Sequence, residues 1–180
     1  DKINFSPALS SEKQTAMNGG FRYAPATRIY IQFNNRFWEN ESLNGWGNTD
    51  LPEEIWQPSW DMTGNTGVLM SYLRWSAAED MDTLNQDERN NAVLNRWENI
   101  FEGTINNFDK GVSKSWVLDE WSKGAWASPT TSQNETLNES IAQIEGRIHF
   151  AGEHASNDRG WMQGALFSGL RAATEIKNSN

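Results

Sequence analysis

Two segments of the chain alternate between apolar and polar residues and predict β-strands. The first is TRIYIQF, from Thr27 to Phe33, and the second is GVLMSYLRW, from Gly67 to Trp75. A period of two places one set of side chains against a core, and both segments are rich in β-branched and aromatic residues. The connection between them is rich in Gly, Asn and Pro and predicts loop, although Ile55 and Trp56 are consistent with the start of another strand.

Two other segments have the composition or spacing of helices. SPALSSEKQTAMNGG, which ends at Gly20, has helix-forming residues between a serine-rich start and a glycine pair, and this predicts a short helix with a glycine stop. From Asp87 to Phe108 the apolar residues recur at helical spacing, which predicts an amphipathic helix that covers the sheet. Those residues are Val93, Trp97, Ile100, Phe101 and Phe108.

The next two segments predict a strand and a loop. Ser113 to Trp126, SKSWVLDEWSKGAW, has a strand-like composition that ends at Gly124, and Pro129 to Ser140 has the composition of turns. No internal repeat is visible. Because strands and helices are interspersed, the order of elements predicts an α+β fold with a mixed sheet and a covering helix.

The C-terminal segment RIHFAGEHASNDRGWMQGALFSGLRAATEI predicts a strand, a turn and a helix. The strand RIHFAG ends at Gly152 and Glu153, and the helix begins near Gly160. Free amides and a positive dipole make the start of a helix suitable for an anionic group. Small residues at helical spacing predict a face that allows close approach of another backbone; they are Ala165, Gly169, Ala172 and Ala173, followed by Ile176.

Composition excludes several classes of function. The 180 residues have a formal net charge of -9 and a pI near 4.7, which disfavours nucleic acid as a partner. The absence of cysteine excludes disulfides, thiolate metal sites and a cysteinyl link to a cofactor, and no metal site is predicted. The ten tryptophans mostly predict core or interface residues.

The C-terminal segment resembles the flavin-binding segment of the flavin amine oxidases, a group that includes L-amino-acid oxidases, monoamine and polyamine oxidases and tryptophan monooxygenase. Four further stretches resemble, in order, the substrate-domain segments of L-amino-acid oxidases: PATRIYIQFNNRFWE, NTDLP, GVLMSYLRW and SWVLDEWSKGAW. The resemblance covers most of the chain. It implies a substrate-binding domain in residues 1–145 and the last strand and helix of a Rossmann-like FAD-binding domain in residues 146–180.

The resemblance implies a non-covalently bound FAD and assigns residues to it. Gly152 and Glu153 match positions beside the ribityl and pyrophosphate groups of FAD, where Glu153 accepts hydrogen bonds. Gly160 and the amides of Trp161 and Met162 match positions at the pyrimidine edge of the flavin, where the start of a helix stabilises developing negative charge.

Tyr72 and Trp161 match the two aromatic residues that flank the substrate, and Trp126 matches a residue that lines the side-chain pocket. Taken alone, Tyr72 is as readily a core residue of the sheet. The lysine that the family uses near flavin N5, in the reaction with oxygen, is replaced by Arg28, which is always charged. Another electron acceptor therefore stays open, as does an Arg28 that points away and pairs with a carboxylate.

The GxGxxG phosphate loop of the family is absent from the chain. The resemblance therefore implies a companion chain that carries the dinucleotide-binding motif, and a homo-oligomer of the assembled enzyme. The implied reaction is oxidative deamination of an L-amino acid by oxygen, giving a 2-oxo acid, ammonia and hydrogen peroxide. Alternatives are an amine or polyamine oxidase, a tryptophan monooxygenase or, in a different class, a tryptophan-rich glycan-binding module.

Overall fold

The computed structural model describes residues 3–51 and 53–179. Within these ranges the chain forms two compact units, which we call the sheet unit (residues 25–125) and the helical unit (residues 3–24 and 126–179). The strands are β1 (Tyr23–Ala24), β2 (Ala26–Phe33), β3 (Gly47–Asn48), β4 (Glu53–Trp56), β5 (Gly67–Arg74), β6 (Phe108–Ser115) and β7 (Trp126–Ala127). The helices are α1 (Ser11–Thr15), α2 (Ser76–Asp82), α3 (Gln86–Trp97), α4 (Thr104–Asn107), α5 (Thr131–Ala142) and α6 (Met162–Asn178).

The sheet unit contains an antiparallel sheet in the order β3-β4-β5-β2-β6. Alternate side chains of β2 and β5, such as Ile29 and Leu73, point to one face and are fully buried. Helices α2 and α3 cover this face, where Val93 and Trp97 of α3 join the same core. The apolar alternation seen in the sequence therefore matches the buried face of the sheet.

The other side chains of these strands lie on the second face of the sheet, opposite α2 and α3. Its central row is fixed by the strand register, in which Arg28 of β2 pairs with Tyr72 of β5 on one side and with Lys114 of β6 on the other. Glu54 of β4 pairs with Tyr72 and extends the row. Residues that pair directly share a face, so charged and aromatic side chains are adjacent there.

The helical unit has a smaller core, in which Phe21 packs with Leu137 and Ile141 of α5. Strand β1 pairs with β7 in a two-stranded antiparallel ribbon. None of the described helices is long and apolar enough to cross a membrane.

The α+β class and the three strands predicted from residues 27–33, 55–56 and 67–75 are confirmed. The short N-terminal helix is confirmed as well, since α1 continues into a π-helical turn that ends at Gly20. The sheet is antiparallel rather than mixed, because each described pairing of strands is antiparallel.

The single helix predicted from Asp87 to Phe108 is wrong. Helix α3 ends at Trp97, and Gly103 adopts a φ of 92°, which cannot continue a right-handed helix. The Glu98 carboxylate accepts hydrogen bonds from the amides of Gly103 and Ile105, at 3.0 and 2.7 Å, and so stabilises the start of α4. Strand β6 spans residues 108–115, so it begins at the predicted helix end and starts five residues before the strand predicted from Ser113.

Two further local predictions are wrong. Residues 131–142 form helix α5 rather than turns, because Thr130 and Gln133 make a capping box that satisfies amides at the helix start. In the predicted strand 113–126, residues 113–115 lie at the end of β6, bends and turns follow, and Trp126 begins β7.

Residues 147–152 do not form a strand in the described part of the chain, where only an isolated bridge joins Glu145 and Ile148. A strand needs a neighbour to pair with its backbone groups, and no described strand lies beside this segment. The compact units also divide the chain differently from the predicted domains, because β1 pairs with β7 and α1 packs near α5. The boundary at 145/146 concerns the domains of a whole flavoenzyme and stays a prediction.

Candidate functional site

On the second face of the sheet, strand register brings the predicted residues Arg28 and Tyr72 together. The Arg28 guanidinium carbon lies 4.6 Å from the centre of the Tyr72 ring, within the range of a cation–π contact. The Nε atom of Arg28 is buried and has no hydrogen-bond partner. Among the described residues no carboxylate pairs with Arg28, so the ion pair considered as an alternative is not formed.

An aromatic and charged cluster that sequence reasoning missed extends from Tyr72. The guanidinium carbon of Arg74 lies 5.4 Å from the Tyr72 ring, and this side chain forms a 2.7 Å ion pair with Glu54. Glu54 also accepts a 3.0 Å hydrogen bond from Trp56, whose ring meets Tyr72 edge-on at 6.3 Å. Trp46 packs 5.5 Å from Trp56. The spacing of Glu54 and Trp56, two apart on one strand, is a signal that could have placed both on this face.

In the helical unit, Glu153 joins the segments of two other predicted residues. One carboxylate oxygen accepts a 2.8 Å hydrogen bond from the amide of Ala127, next to Trp126, and the other accepts a 2.7 Å hydrogen bond from the amide of Gly160, next to Trp161. Hydrogen bonds from backbone amides to a carboxylate are stronger than hydrogen bonds between neutral groups. Glu153 therefore fixes the separation between the backbones that bear the two tryptophans.

Gly160 is favoured by its backbone conformation, and it lies close to the Trp126 ring. Its φ is 76°, in the left-handed region, and a β-carbon there would lie 3.5 Å from Cδ1 of Trp126. Trp161 follows as the N-cap of α6, with 69% of its surface exposed, and Met162 is 81% exposed. The start of α6 therefore presents a glycine, two large side chains and a nearby indole ring.

Among the described residues, the N-cap residue of α6, Trp161, makes no side-chain capping hydrogen bond. Helices α3 and α5, in contrast, each begin with a capping box, formed by Asn85 with Glu88 and by Thr130 with Gln133. Unbonded amides at a helix start favour a negatively charged or electron-rich group. The predicted cofactor positions Gly160, Trp161 and Met162 are thus adjacent at this terminus.

Gly152 is held close to the same helix. Its amide donates a 2.9 Å hydrogen bond to Ser168 of α6. Its φ is 147°, and a β-carbon would lie 2.6 Å from Nδ1 of His154, so a side chain at this position would force the His154 ring to move. Gly152 and Glu153 are adjacent at the start of a short 3-10 turn, and Gly152 is hydrogen-bonded to α6.

Comparison with known proteins identifies the family. The family model for flavin-containing amine oxidoreductases matches residues 1–177. The chain belongs to this family.

Individual relatives agree with this match. The chain is 34% identical to an L-amino-acid oxidase of Siganus canaliculatus, over 97% of this chain and 34% of that protein. It is 29% identical to an L-amino-acid oxidase of Echis ocellatus, over 99% of this chain and 36% of that protein. The chain therefore spans about a third of the length of these curated relatives.

Solved structures show the same fold at lower identity. The cyclohexylamine oxidase of Brevibacterium oxydans superposes with a TM-score of 0.82 at 20% identity, over 99% of this chain and 40% of that one. Wild-type putrescine oxidase bound to putrescine superposes with a TM-score of 0.81 at 18% identity, over 98% of this chain and 40% of that one.

The small-residue face predicted for the terminal helix of this flavin amine oxidase segment lies elsewhere. Gly164, Ser168 and Ala172, four residues apart, form the buried face of α6. Of the predicted residues only Ala172 is buried, whereas a β-carbon at Gly169 would have no neighbouring atom within 4 Å. The spacing was correct, but two overlapping sets of small residues share it, and sequence alone does not choose between them.

Both histidines are held by contacts with other residues of the chain. Nδ1 of His149 lies 3.1 Å from the carboxylate of Glu175, which also pairs with Arg171. Hydrogen bonds from Arg171 and His149 hold the pKa of Glu175 below its usual value. His154 lies beside Gly152 and near the Tyr23 ring, and supports the turn.

We expect Glu153→Gln to lower the free energy of unfolding by about 1 kcal/mol. A glutamine has one accepting oxygen, so it retains only one of the bonds to Ala127 and Gly160. Urea denaturation measures the change. Glu135→Gln is the matched control, since Glu135 is an exposed glutamate of α5. An equal loss of unfolding free energy in both variants would contradict a role for the two hydrogen bonds that Glu153 accepts.

We expect the free energy of unfolding to fall as the pH drops below about 6.5. Burial lowers the pKa of His154 from its usual 6.5, Glu153 opposes this shift, and Arg159 and Lys13 add to it. Between the lowered pKa of folded His154 and pH 6.5, the unfolded chain therefore binds more protons than the folded chain. The contribution of His154 to the free energy of unfolding is complete above pH 6.5 and is lost as the pH falls through this range. Urea denaturation near pH 7.5 and near pH 5.5 tests this, and His154→Gln should flatten the dependence. An unchanged slope in the variant would assign the effect to other groups.

Proposed function

We propose that this chain forms part of an FAD-dependent L-amino-acid oxidase. The observation that carries the proposal is the family match over residues 1–177, together with curated relatives that are L-amino-acid oxidases. In such an enzyme an L-amino acid is oxidised to an imino acid, which water converts to a 2-oxo acid and ammonia.

The residues of the helical unit fit a non-covalently bound flavin. Gly160 has no β-carbon, and the following amides at the start of α6 have no side-chain cap. Gly152, Glu153, Gly160, Trp161 and Met162 are the residues that would hold FAD. A flavin held by these residues would supply a hydride acceptor for the amino-acid Cα–H, and its reoxidation by oxygen would give hydrogen peroxide.

The aromatic residues would orient the substrate and exclude water. Tyr72 and Trp161 are proposed to flank it, and Trp126 to line the pocket for its side chain. The Trp126 ring lies near Gly160, and the backbone beside it is held by the hydrogen bond that the next amide, that of Ala127, donates to Glu153. Aromatic walls with few rotamers reduce the entropy lost when the reactive centre is aligned.

Arg28 occupies the position of the family lysine and is proposed to supply positive charge near flavin N5. Because a guanidinium does not lose its proton in proteins, Arg28 cannot act as an acid or base. Its charge still favours the formation of an anion from oxygen. The choice of oxygen as the electron acceptor is therefore part of the proposal.

An amine or polyamine oxidase is the second candidate, because the cyclohexylamine and putrescine oxidases have the same fold. Tryptophan monooxygenase, also in the family, stays open on the same ground. Membership of the flavin family leaves no reason to retain the glycan-binding alternative.

The rest of such an enzyme would include the phosphate loop and would pack against this chain. Helix α6 exposes Leu166, Phe167 and Leu170, with 60–72% of each side chain accessible. An apolar surface of this kind suits a partner that covers it. A companion polypeptide with the dinucleotide-binding motif and a homo-oligomeric assembly are parts of the proposal.

The visible spectrum of the protein, purified with the polypeptide that accompanies it, tests the proposal. Flavin absorbance that bleaches anaerobically with L- but not D-amino acids would support an L-amino-acid oxidase. Bleaching by simple amines alone would favour the second candidate. A colourless, folded assembly would contradict both.

A further inference from the structure

We propose that Arg28 binds a carboxylate of the substrate on the second face of the sheet. This rests on the proposed function, because it names a binding role for a residue placed in that site. The ligand class is a carboxylate, supplied either by the α-carboxylate of an amino acid or by the side chain of an acidic amino acid.

The first argument is that Arg28 lacks an internal counter-ion. Its side chain is half-buried and its Nε fully buried, yet none of its nitrogens forms a hydrogen bond or ion pair with the residues that the structure describes. A desolvated charge without a partner is costly. An anion from outside would remove that cost and meet a charge that is already in place.

The second argument is that two neighbouring cations on the same face of the sheet already pair with carboxylates. Arg74 forms an ion pair with Glu54 at 2.7 Å. Lys114 lies on β6 directly opposite Arg28 and forms an ion pair with Asp119. The sheet thus supplies carboxylates to the neighbours of Arg28 but none, among residues 3–51 and 53–179, to Arg28 itself. Of these three cations, Arg28 alone is half-buried without a carboxylate partner among the described residues.

The third argument is the orientation of the guanidinium. Tyr72 pairs with Arg28 across the strands, and its ring centre lies 4.6 Å from the guanidinium carbon. Contact with the ring limits the rotation of the planar group, whose donors match a carboxylate in a bidentate pair. A lysine at this position has no planar group to present. The substitution of arginine for the family lysine thus adds a carboxylate-binding geometry to a position that resemblance links with flavin N5.

Calorimetric titration with benzoate tests the proposal on the protein purified with its accompanying polypeptide. We expect Arg28→Gln to weaken benzoate binding about 10- to 100-fold, the loss of a charged hydrogen-bonded pair. Benzamide, the uncharged probe of the same shape, should bind both forms equally. Lys114→Gln is the matched control and should change benzoate affinity less than about 3-fold, because its charge already pairs with Asp119. Equal benzoate affinity in wild type and Arg28→Gln would overturn the proposal.

Anaerobic titration with L-glutamate and L-glutamine distinguishes the two sources of carboxylate. A loss of affinity in Arg28→Gln for both substrates assigns Arg28 to the α-carboxylate, and a loss for L-glutamate alone assigns it to the side chain. Unchanged dissociation constants, with only the reaction with oxygen slowed, would overturn the carboxylate role and leave the proposed function intact. A protein without flavin would contradict the proposed function, while the benzoate titration would still report on Arg28.

Discussion

Replacing Arg96 with methionine is expected to lower the free energy of unfolding by about 3–5 kcal/mol. Arg96, at the end of α3, forms two hydrogen bonds with Glu53 of β4, from Nη2 at 2.8 Å and from Nε at 2.9 Å. The Glu53 side chain is fully buried. The methionine removes the cation and leaves an uncompensated carboxylate in the core.

Two hydroxyls complete this buried site without neutralising it. Ser71 of β5 donates to one oxygen of Glu53, and Thr49 donates to the other at 2.9 Å. These bonds are donated by neutral hydroxyls and supply no charge. The ion pair also ties α3 to the strand that bears Glu54 and Trp56 on its opposite face, so its loss should loosen the support of the aromatic cluster.

Guanidinium denaturation of the chain measures the effect, and two variants make the result decisive. Glu53→Gln combined with Arg96→Met should recover part of the loss, because no buried charge remains. Lys114→Met should cost less than about 1 kcal/mol, because its ion pair with Asp119 lies at the surface. If Arg96→Met were as mild as Lys114→Met, the buried pair would not support the fold.

Strong local signals explain which elements the sequence predicts. Strands β2 and β5 combine alternation with β-branched and aromatic residues, and tertiary contacts do not oppose either preference. Helix α5 has few apolar residues, so its periodicity is weak, and only the capping pair Thr130 and Gln133 marks its start. The segment 147–152 has strand alternation but no described neighbour to pair with, so its local preference is not expressed.

For the candidate site, too, the sequence indicates single residues but not the contacts between them. Resemblance selects Arg28, Tyr72 and Glu153 one by one, but their relations depend on contacts between distant segments. The register of β2 against β5 places Arg28 beside Tyr72. The two hydrogen bonds that Glu153 accepts from backbone amides depend on the path of the chain at Ala127 and Gly160. Whether Arg28 has an ion-pair partner depends on its surroundings in the folded chain, and no local sequence pattern indicates it.

Gly164→Ala is expected to destabilise the chain by about 3 kcal/mol, although alanine is the better helix former. A β-carbon at Gly164 would overlap the carbonyl oxygen of Asp158 and lie 2.8 Å from its carbonyl carbon. Both are backbone atoms, so α6 or the turn must move. Because Gly160 lies two residues after Asp158, the hydrogen bond from Gly160 to Glu153 should weaken together with the helix contact.

Gly169→Ala, in the same helix, is the matched control with the opposite sign. A β-carbon there meets no described atom within 4 Å, so the lower backbone entropy of alanine in the unfolded chain should raise the free energy of unfolding by about 0.5–1 kcal/mol. Urea denaturation of both variants measures the difference, and flavin content of the assembled protein measures its effect on the site. If both glycines tolerated alanine equally, close approach of the 158–160 turn would not be what requires Gly164. If only Gly164→Ala lost flavin along with stability, the glycine would be linked to the cofactor site through the position of Gly160.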